Sequence, residues 1–92
     1  MIYRRSDHFK KAYQSLPNHI RKKTAKAFVL LKENPTHPSL GVKKMKGHEG
    51  IWEGRIDQKY RFTFHYEDQS KTGEPICVFR NIDNHDECLK NP

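Results

Sequence analysis

The stretch whose reading decides the fold is Ile51 to Tyr66, IWEGRIDQKYRFTFHY. Apolar and polar residues alternate along it with a period of two, which predicts two strands joined by a tight turn. In the second strand Tyr60, Phe62, Phe64 and Tyr66 share one side, and Arg61, Thr63 and His65 the other. In the first strand Trp52, Gly54 and Ile56 point one way and Glu53, Arg55 and Asp57 the opposite way. One face of this hairpin is aromatic and requires a core. The other gathers carboxylate, guanidinium and imidazole groups, the kinds of side chain that recognise or cleave a phosphodiester.

Working outward toward the C-terminus, EDQSKTGEP is polar and contains glycine, and reads as a turn. Ile76 to Ile82, ICVFRNI, is apolar on both faces, the signature of a central strand. Asp83-Asn84-His85-Asp86 follows, then a short tail, ECLKNP. Upstream of the hairpin, Leu40 to Lys46 reads as a strand, with Val42, Lys44 and Lys46 on one side and Lys43 and Met45 on the other. Either set can face inward. Lysines there either grip phosphate as compact point charges or shield an edge strand from aggregation. Gly47 to Gly50 is a loop, and His48 within it is either a plain loop residue or a nucleic-acid contact.

The first forty residues read as a short strand, Ile2 to Arg5, followed by two helices. Ser6 is placed to cap the first, whose apolar residues Phe9, Ala12, Tyr13 and Leu16 recur at spacings of three and four. Pro17 is expected in the first turn of the second, where its missing N–H costs nothing. Ile20, Thr24, Ala27, Phe28 and Leu31 form the buried stripe of that helix, opposite Arg21, Lys22, Lys23 and Lys26, and Asn34-Pro35 stops it. Helices joined so closely pack as a hairpin. The order β-α-α-β-β-β-β therefore predicts one α+β domain over residues 1–92, with the helical hairpin on one face of a small, mostly antiparallel sheet.

Composition sets further bounds. Ninety-two residues make a single small domain, and 18 basic against 11 acidic residues leave a net charge of +7. Such a charge favours anionic partners, although it also serves solubility alone. No apolar run approaches the ~20 residues of a membrane span, and MIYRRSDHFKK lacks the apolar segment of a signal peptide. Cys77 and Cys88 lack metal-type spacing, and free thiols in a cytoplasmic protein are expected.

Taken in order, the pieces LPNHIRKKTAKAF, LLKENP, LGVKKMKG, IWEGRI, YRFTFHY and RNIDNHDECLKNP resemble the RelE/ParE superfamily of toxins from type II toxin–antitoxin modules. The resemblance covers nearly the whole chain. It rests on K-x-K-G before a Trp-containing strand, "YR" opening the next strand, and "HD" after the last. It implies a metal-independent endoribonuclease that cuts mRNA on the ribosome, the substrate 2′-OH attacking the adjacent phosphate. It implies no cofactor, a cognate antitoxin as partner, no membrane, and DNA contact only indirectly through the antitoxin complex. The superfamily also contains gyrase inhibitors that cut nothing, and an inactive binding domain that acts only with its antitoxin is a third reading. In related toxins a basic residue aligns with Arg55, the "YR" arginine with Arg61, and an Arg or His with His85. Two departures stand out: Glu53 occupies a place where some members carry lysine, and Leu89 lies where others have a tyrosine.

Cleavage by the 2′-OH requires a base, cations for the phosphorane and an acid for the leaving oxygen. His85 suits proton transfer. Arg61 and Arg55 suit the phosphate, since each fork binds two oxygens and stays charged. Glu53 or Asp86 would act as base or orient a neighbour, and Lys44, Lys46, His48 and His65 would contact the RNA. Competing structural readings exist for each. The arginines can pair with Glu53 and Asp57 across the strands, and His85-Asp86 can belong to a capped C-terminal turn. Trp52 and the Tyr60, Phe62 and Phe64 row can be core and not a stacking surface.

Overall fold

The chain runs β1 (Ile2–Arg5), α1 (Asp7–Gln14), α2 (Asn18–Glu33), β2 (Lys43–Lys44), β3 (Trp52–Arg55), β4 (Tyr60–Glu67), β5 (Ile76–Asn84) and α3 (His85–Lys90). This is a computed structural model, and it describes residues 1–68 and 71–92. The sheet order is β1-β5-β4-β3-β2. Strand β1 lies parallel to β5, and the other pairings are antiparallel. Flanked on both edges and packed on both faces, β5 needs the apolar residues that mark it in the sequence.

Both N-terminal helices pack on one face of the sheet, as expected. Ser6 caps α1, its Oγ accepting from the Phe9 N–H at 3.0 Å and donating to the Arg80 carbonyl at 3.1 Å, which ties the helix start to β5. Ile20, Thr24, Ala27 and Leu31 are buried along α2, and the Thr24 hydroxyl donates to the Ile20 carbonyl at 2.8 Å. Pro17 is the residue before α2 and not within it: its ψ of 149° is extended, and the helix begins at Asn18. Phe28 stacks on Phe79 at 4.3 Å and meets the edge of Phe62 at 5.2 Å, while Phe9 lies 5.7 Å from Phe79. Phe62 and Phe64 are fully enclosed, each burial contributing on the order of 1.5–3 kcal/mol.

The alternation is observed over β3 and β4, but Ile56 and Asp57, expected on the first strand, lie in the turn. Gly54 lies opposite Phe62 in the ladder, and a Cβ at that position would stand 2.2 Å from the ring. Glycine is therefore a packing requirement. At the turn, Asp57 Oδ1 accepts from the N–H groups of Lys59 and Tyr60 at 2.8 and 2.9 Å, and its other oxygen pairs with Lys23 of α2 at 3.3 Å. Partial burial pushes the Asp57 carboxyl up, but those two N–H groups and the Lys23 ammonium outweigh it and hold the group below the usual carboxylate range.

Three further expectations are corrected. The Leu40–Lys46 strand shrinks to Lys43–Lys44, because Pro38–Leu40 makes a 3-10 turn that drives Leu40 into the core and ends at Gly41 with φ +53°. The ECLKNP stretch, expected as a short tail, contributes Glu87, Cys88, Leu89 and Lys90 to α3, leaving Asn91 and Pro92 beyond it. Asn84 caps it by accepting from the Glu87 N–H at 3.0 Å, and Cys88 turns inward against the sheet. The polar face is consequently covered in part, leaving Thr63 and Asn81 buried. Third, β4 extends through Glu67, the first residue of the predicted turn; Gln69 and Ser70 of that turn lie outside the described residues. Both cysteines are free and buried. Among the described residues no helix is long and apolar enough to cross a membrane.

Gly54→Ala is expected to destabilise the protein by about 1–3 kcal/mol through overpacking against Phe62, read as a lowered urea midpoint. The Asp57 contribution is fully present above the ordinary carboxylate value of 3.8 and is lost as pH falls through the lower folded value. Asp57→Asn keeps the Oδ1 acceptor, so its stability should lack that component of the acid loss in urea titrations run from pH 5 down to about 2.

Candidate functional site: a basic cleft beside the third helix

Arg55 on β3 and Arg61 on β4 occupy directly opposing positions of the antiparallel ladder. Like charges so placed repel. The arginines are not neutralised across the strands: Glu53 pairs with Lys43 at 3.8 Å and Asp57 with Lys23 at 3.3 Å. Neither arginine is in an ion pair among the described residues. Arg61 instead uses one guanidinium nitrogen to donate to the backbone carbonyls of Asp57 and Tyr60, which fixes the group without neutralising it. Arg55 is exposed, and its Nη2 lies 3.3 Å from where a Gly41 Cβ would sit. A side chain at Gly41 would crowd this guanidinium.

The next strand brings in the histidine. Arg61 is in register with Asp83 on β5, two residues before His85. At the first position of α3, His85 donates its backbone N–H to the Lys59 carbonyl at 2.6 Å. The β3–β4 turn thus holds Arg61 and His85 together. Its ring Nδ1 lies 3.4 Å from the Asp86 carboxylate, which is itself open to solvent. Arg55, Arg61, His85 and Glu53 line one cleft of about 360 Å³, with Lys43 and Gly41 on its wall.

An adjoining hollow of about 390 Å³ shares Lys43, Glu53 and His85 and adds Lys46, His48 and Leu89. The two form one trough running to the β2 edge. Lys44 stands at its rim but extends over the Trp52 ring, 5.6 Å from the centroid. Asp86 touches His85 and lines neither hollow.

His65 does not join the trough. Its Nδ1 meets Arg80 Nη1 at 2.8 Å and its Nε2 meets Glu67 at 2.9 Å. The cause is a bulge: Thr63 pairs with Asn81 but Phe64 with Phe79, which leaves Arg80 as an extra residue. Arg80 and Asn81 then both reach the last residues, donating to the Pro92 and Asn91 carbonyls at 2.9 and 2.7 Å. Residues that sequence reasoning left out of the site are Lys43 and Gly41. It also missed α3, although Asn84 with Glu87 three residues on, acids in the first turn and Lys90 in the last, carried a helix signal.

The arrangement offers two charged forks and an imidazole around one space, suited to an anionic oxygen cluster such as a phosphate. The thiols are poorly suited to nucleophilic chemistry. Burial pushes Cys88 up to about 12, helped by the Asp83 and Glu53 carboxylates, and burial pushes Cys77 up to about 11. No cluster of three or more His, Cys, Asp or Glu residues is arranged to hold a metal ion among the described residues.

Several solved structures share this architecture. A YoeB/ParE toxin from Agrobacterium tumefaciens superposes with a TM-score of 0.70 at 18% identity, over 92% of this chain and 99% of that one. RelE in the RelB–RelE antitoxin–toxin complex from Methanococcus jannaschii gives 0.67 at 18% identity, over 98% and 96%. YafQ from E. coli strain BL21(DE3) gives 0.70 at 12% identity, over 92% and 93%. The chain has the RelE/ParE toxin fold. No protein-family model and no curated protein sequence matches it. On this RelE/ParE fold the trough lies on the side of the sheet away from the helical pair, between the β2 edge and α3.

Because the opposed arginines lack carboxylate partners, Arg55→Gln is expected to raise stability by about 0.2–1 kcal/mol at low salt. The gain should shrink as salt screens the repulsion. Urea midpoints of the two proteins at low and high ionic strength test this, and a loss of stability in the variant would refute it.

Proposed function

We propose that the protein is the toxin of a type II toxin–antitoxin pair and acts as an mRNA endoribonuclease that arrests translation. The observation carrying this reading is the apposition of Arg55 and Arg61 without a carboxylate partner, in the same cleft as His85. Structural pairs of like charge are disfavoured; a bound phosphate would reverse the repulsion into affinity.

In the proposed reaction the 2′-oxygen of a ribose forms a bond to the adjacent phosphorus while the bond to the 5′-oxygen breaks. The 2′-OH proton passes to a base and a proton passes to the leaving 5′-oxygen. The products are a 2′,3′-cyclic phosphate and a 5′-OH end. Arg55 and Arg61 stabilise the charge that builds on the phosphorane, and His85 transfers a proton. Glu53, in the same cleft, is the second candidate for proton transfer, and Asp86 would orient the His85 ring. Lys43, Lys46 and His48 would guide the RNA backbone along the trough. The nucleophile belongs to the substrate, so this scheme calls for no metal or cofactor.

The fold is shared with proteins solved in complex with antitoxins, RelB and DinJ among them. For this chain the proposed partner is an antitoxin whose wrapping segment is acidic, to match the net charge of +7. The proposed site of action is the cytoplasm, on ribosome-bound mRNA, with DNA reached only through the antitoxin complex.

Induction of the gene should produce cuts inside translated codons, mapped by primer extension. His85→Ala and Arg61→Ala are each expected to lower the cleavage rate by about 10²–10⁴-fold with unchanged circular dichroism. Toxicity that survives both substitutions, accompanied by loss of DNA supercoiling, would overturn the nuclease reading in favour of a gyrase inhibitor.

A further inference from the structure

On the face of the sheet opposite the His85 cleft, the aromatic row continues past the helices. Phe62 and Phe64 are sealed, Trp52 is half-buried, and Tyr66 at the end of the row is 44% exposed. Tyr66 stands edge-on to Trp52 at 6.0 Å and 76°, and the Lys44 ammonium lies 5.6 Å above the indole. With the loop through Gly47 and Gly50 these side chains border an open hollow of about 790 Å³. This hollow and the trough have Lys44, Met45 and His48 in common. The two meet over β2, an edge strand only two residues long.

We infer that this hollow is a nucleobase subsite for single-stranded RNA, holding a base that flanks the nucleotide whose phosphate lies between Arg55 and Arg61. The inference rests on the reading of the His85 cleft as an RNA site and adds to it a second point of contact. Strands are spaced about 4.8 Å apart, so a backbone leaving the cleft at β3 reaches the β2 edge within a nucleotide or two. The crossing is marked by cations: Lys43 and Lys46 on the trough side, Lys44 at the crest. Beyond them lies apolar aromatic surface. Cations along a path followed by aromatic side chains are the two components by which proteins hold single strands. Glu49 is the hollow's one acidic residue. An acidic peptide would find the same lysines, but would not need the exposed Tyr66 ring beside Trp52.

Trp52 is the sole tryptophan, so its fluorescence reports this hollow directly. The probe is a six-nucleotide 2′-O-methyl RNA, which lacks the attacking hydroxyl and is not cut, compared with a single 2′-O-methyl nucleoside 5′-phosphate. The hexamer is expected to quench Trp52 and the monophosphate to leave it unchanged. Tyr66→Thr should weaken the hexamer about tenfold, the scale of one lost base stack. Lys44→Gln, at the exposed edge, should weaken it several-fold and reduce its salt slope by about one. Both variants are checked for native circular dichroism first. Hexamer binding that depends on Arg61 but neither quenches Trp52 nor responds to Tyr66→Thr overturns the subsite while leaving the RNA reading intact. Absence of any RNA binding overturns both. Quenching by an acidic peptide but not by the hexamer reassigns the hollow to a protein partner and overturns the subsite.

Discussion

The turn closed by Asp57 is the constraint on which the candidate site depends. Its carboxylate accepts from the Lys59 and Tyr60 N–H groups and is pinned from outside by Lys23 of α2. That geometry sets the β3–β4 register and hence places Arg55 opposite Arg61. The same few residues supply three backbone acceptors: the Asp57 and Tyr60 carbonyls take the Arg61 guanidinium, and the Lys59 carbonyl takes the His85 N–H. A single short turn thereby orients a side chain from β4 and the start of α3. The helical pair, though on the far face, takes part in this through Lys23.

The two faces of the sheet differ in character, one apolar and packed, the other charged. One face carries Phe62, Phe64 and Phe79 under Phe9 and Phe28, and its apolar burial must sustain a domain too small for a large core. The other face carries charge. Part of it is closed by α3, whose Cys88 meets the Thr63 side chain and beneath which Thr63 and Asn81 are buried; the remainder is left open as the trough. Gly54 serves the packed side, where only hydrogen fits against Phe62. Gly41 serves the open side, where a larger residue would press on Arg55. The opposed arginines are expected to cost a little stability, a local departure from folding rules of the kind found at functional sites.

The parts of the fold that local physics controls were legible in the residues. Period-two alternation placed Phe62 and Phe64 inside and Arg55 and Arg61 on the opposite face. Ser6 announced α1, and the spacing of Ile20, Thr24, Ala27 and Leu31 announced the buried side of α2. The candidate cleft was legible to the same extent: His85, Arg55, Arg61 and Glu53 do come together, and Lys46 and His48 adjoin them. Only the RelE/ParE resemblance linked His85 to the arginines, since no spacing rule joins segments thirty residues apart.

What the tertiary structure decided are the features set by contacts between distant segments. His65 shares its strand face with Arg61 in the alternation, yet the extra residue Arg80 on β5 captures it, and a bulge arises only when two particular strands are paired. Lys44 and Lys43 were interchangeable on paper; pairing with β3 sent Lys43 to Glu53 and Lys44 over Trp52. Leu40 left its expected strand for a 3-10 turn that buries it in the core. The sequence by itself thus determined which residues could be buried and which kept wet, because that follows from each side chain's own affinity for water. Which of the wet residues meet one another was decided by strand register and by the placement of α3, and register is a property of two segments at once.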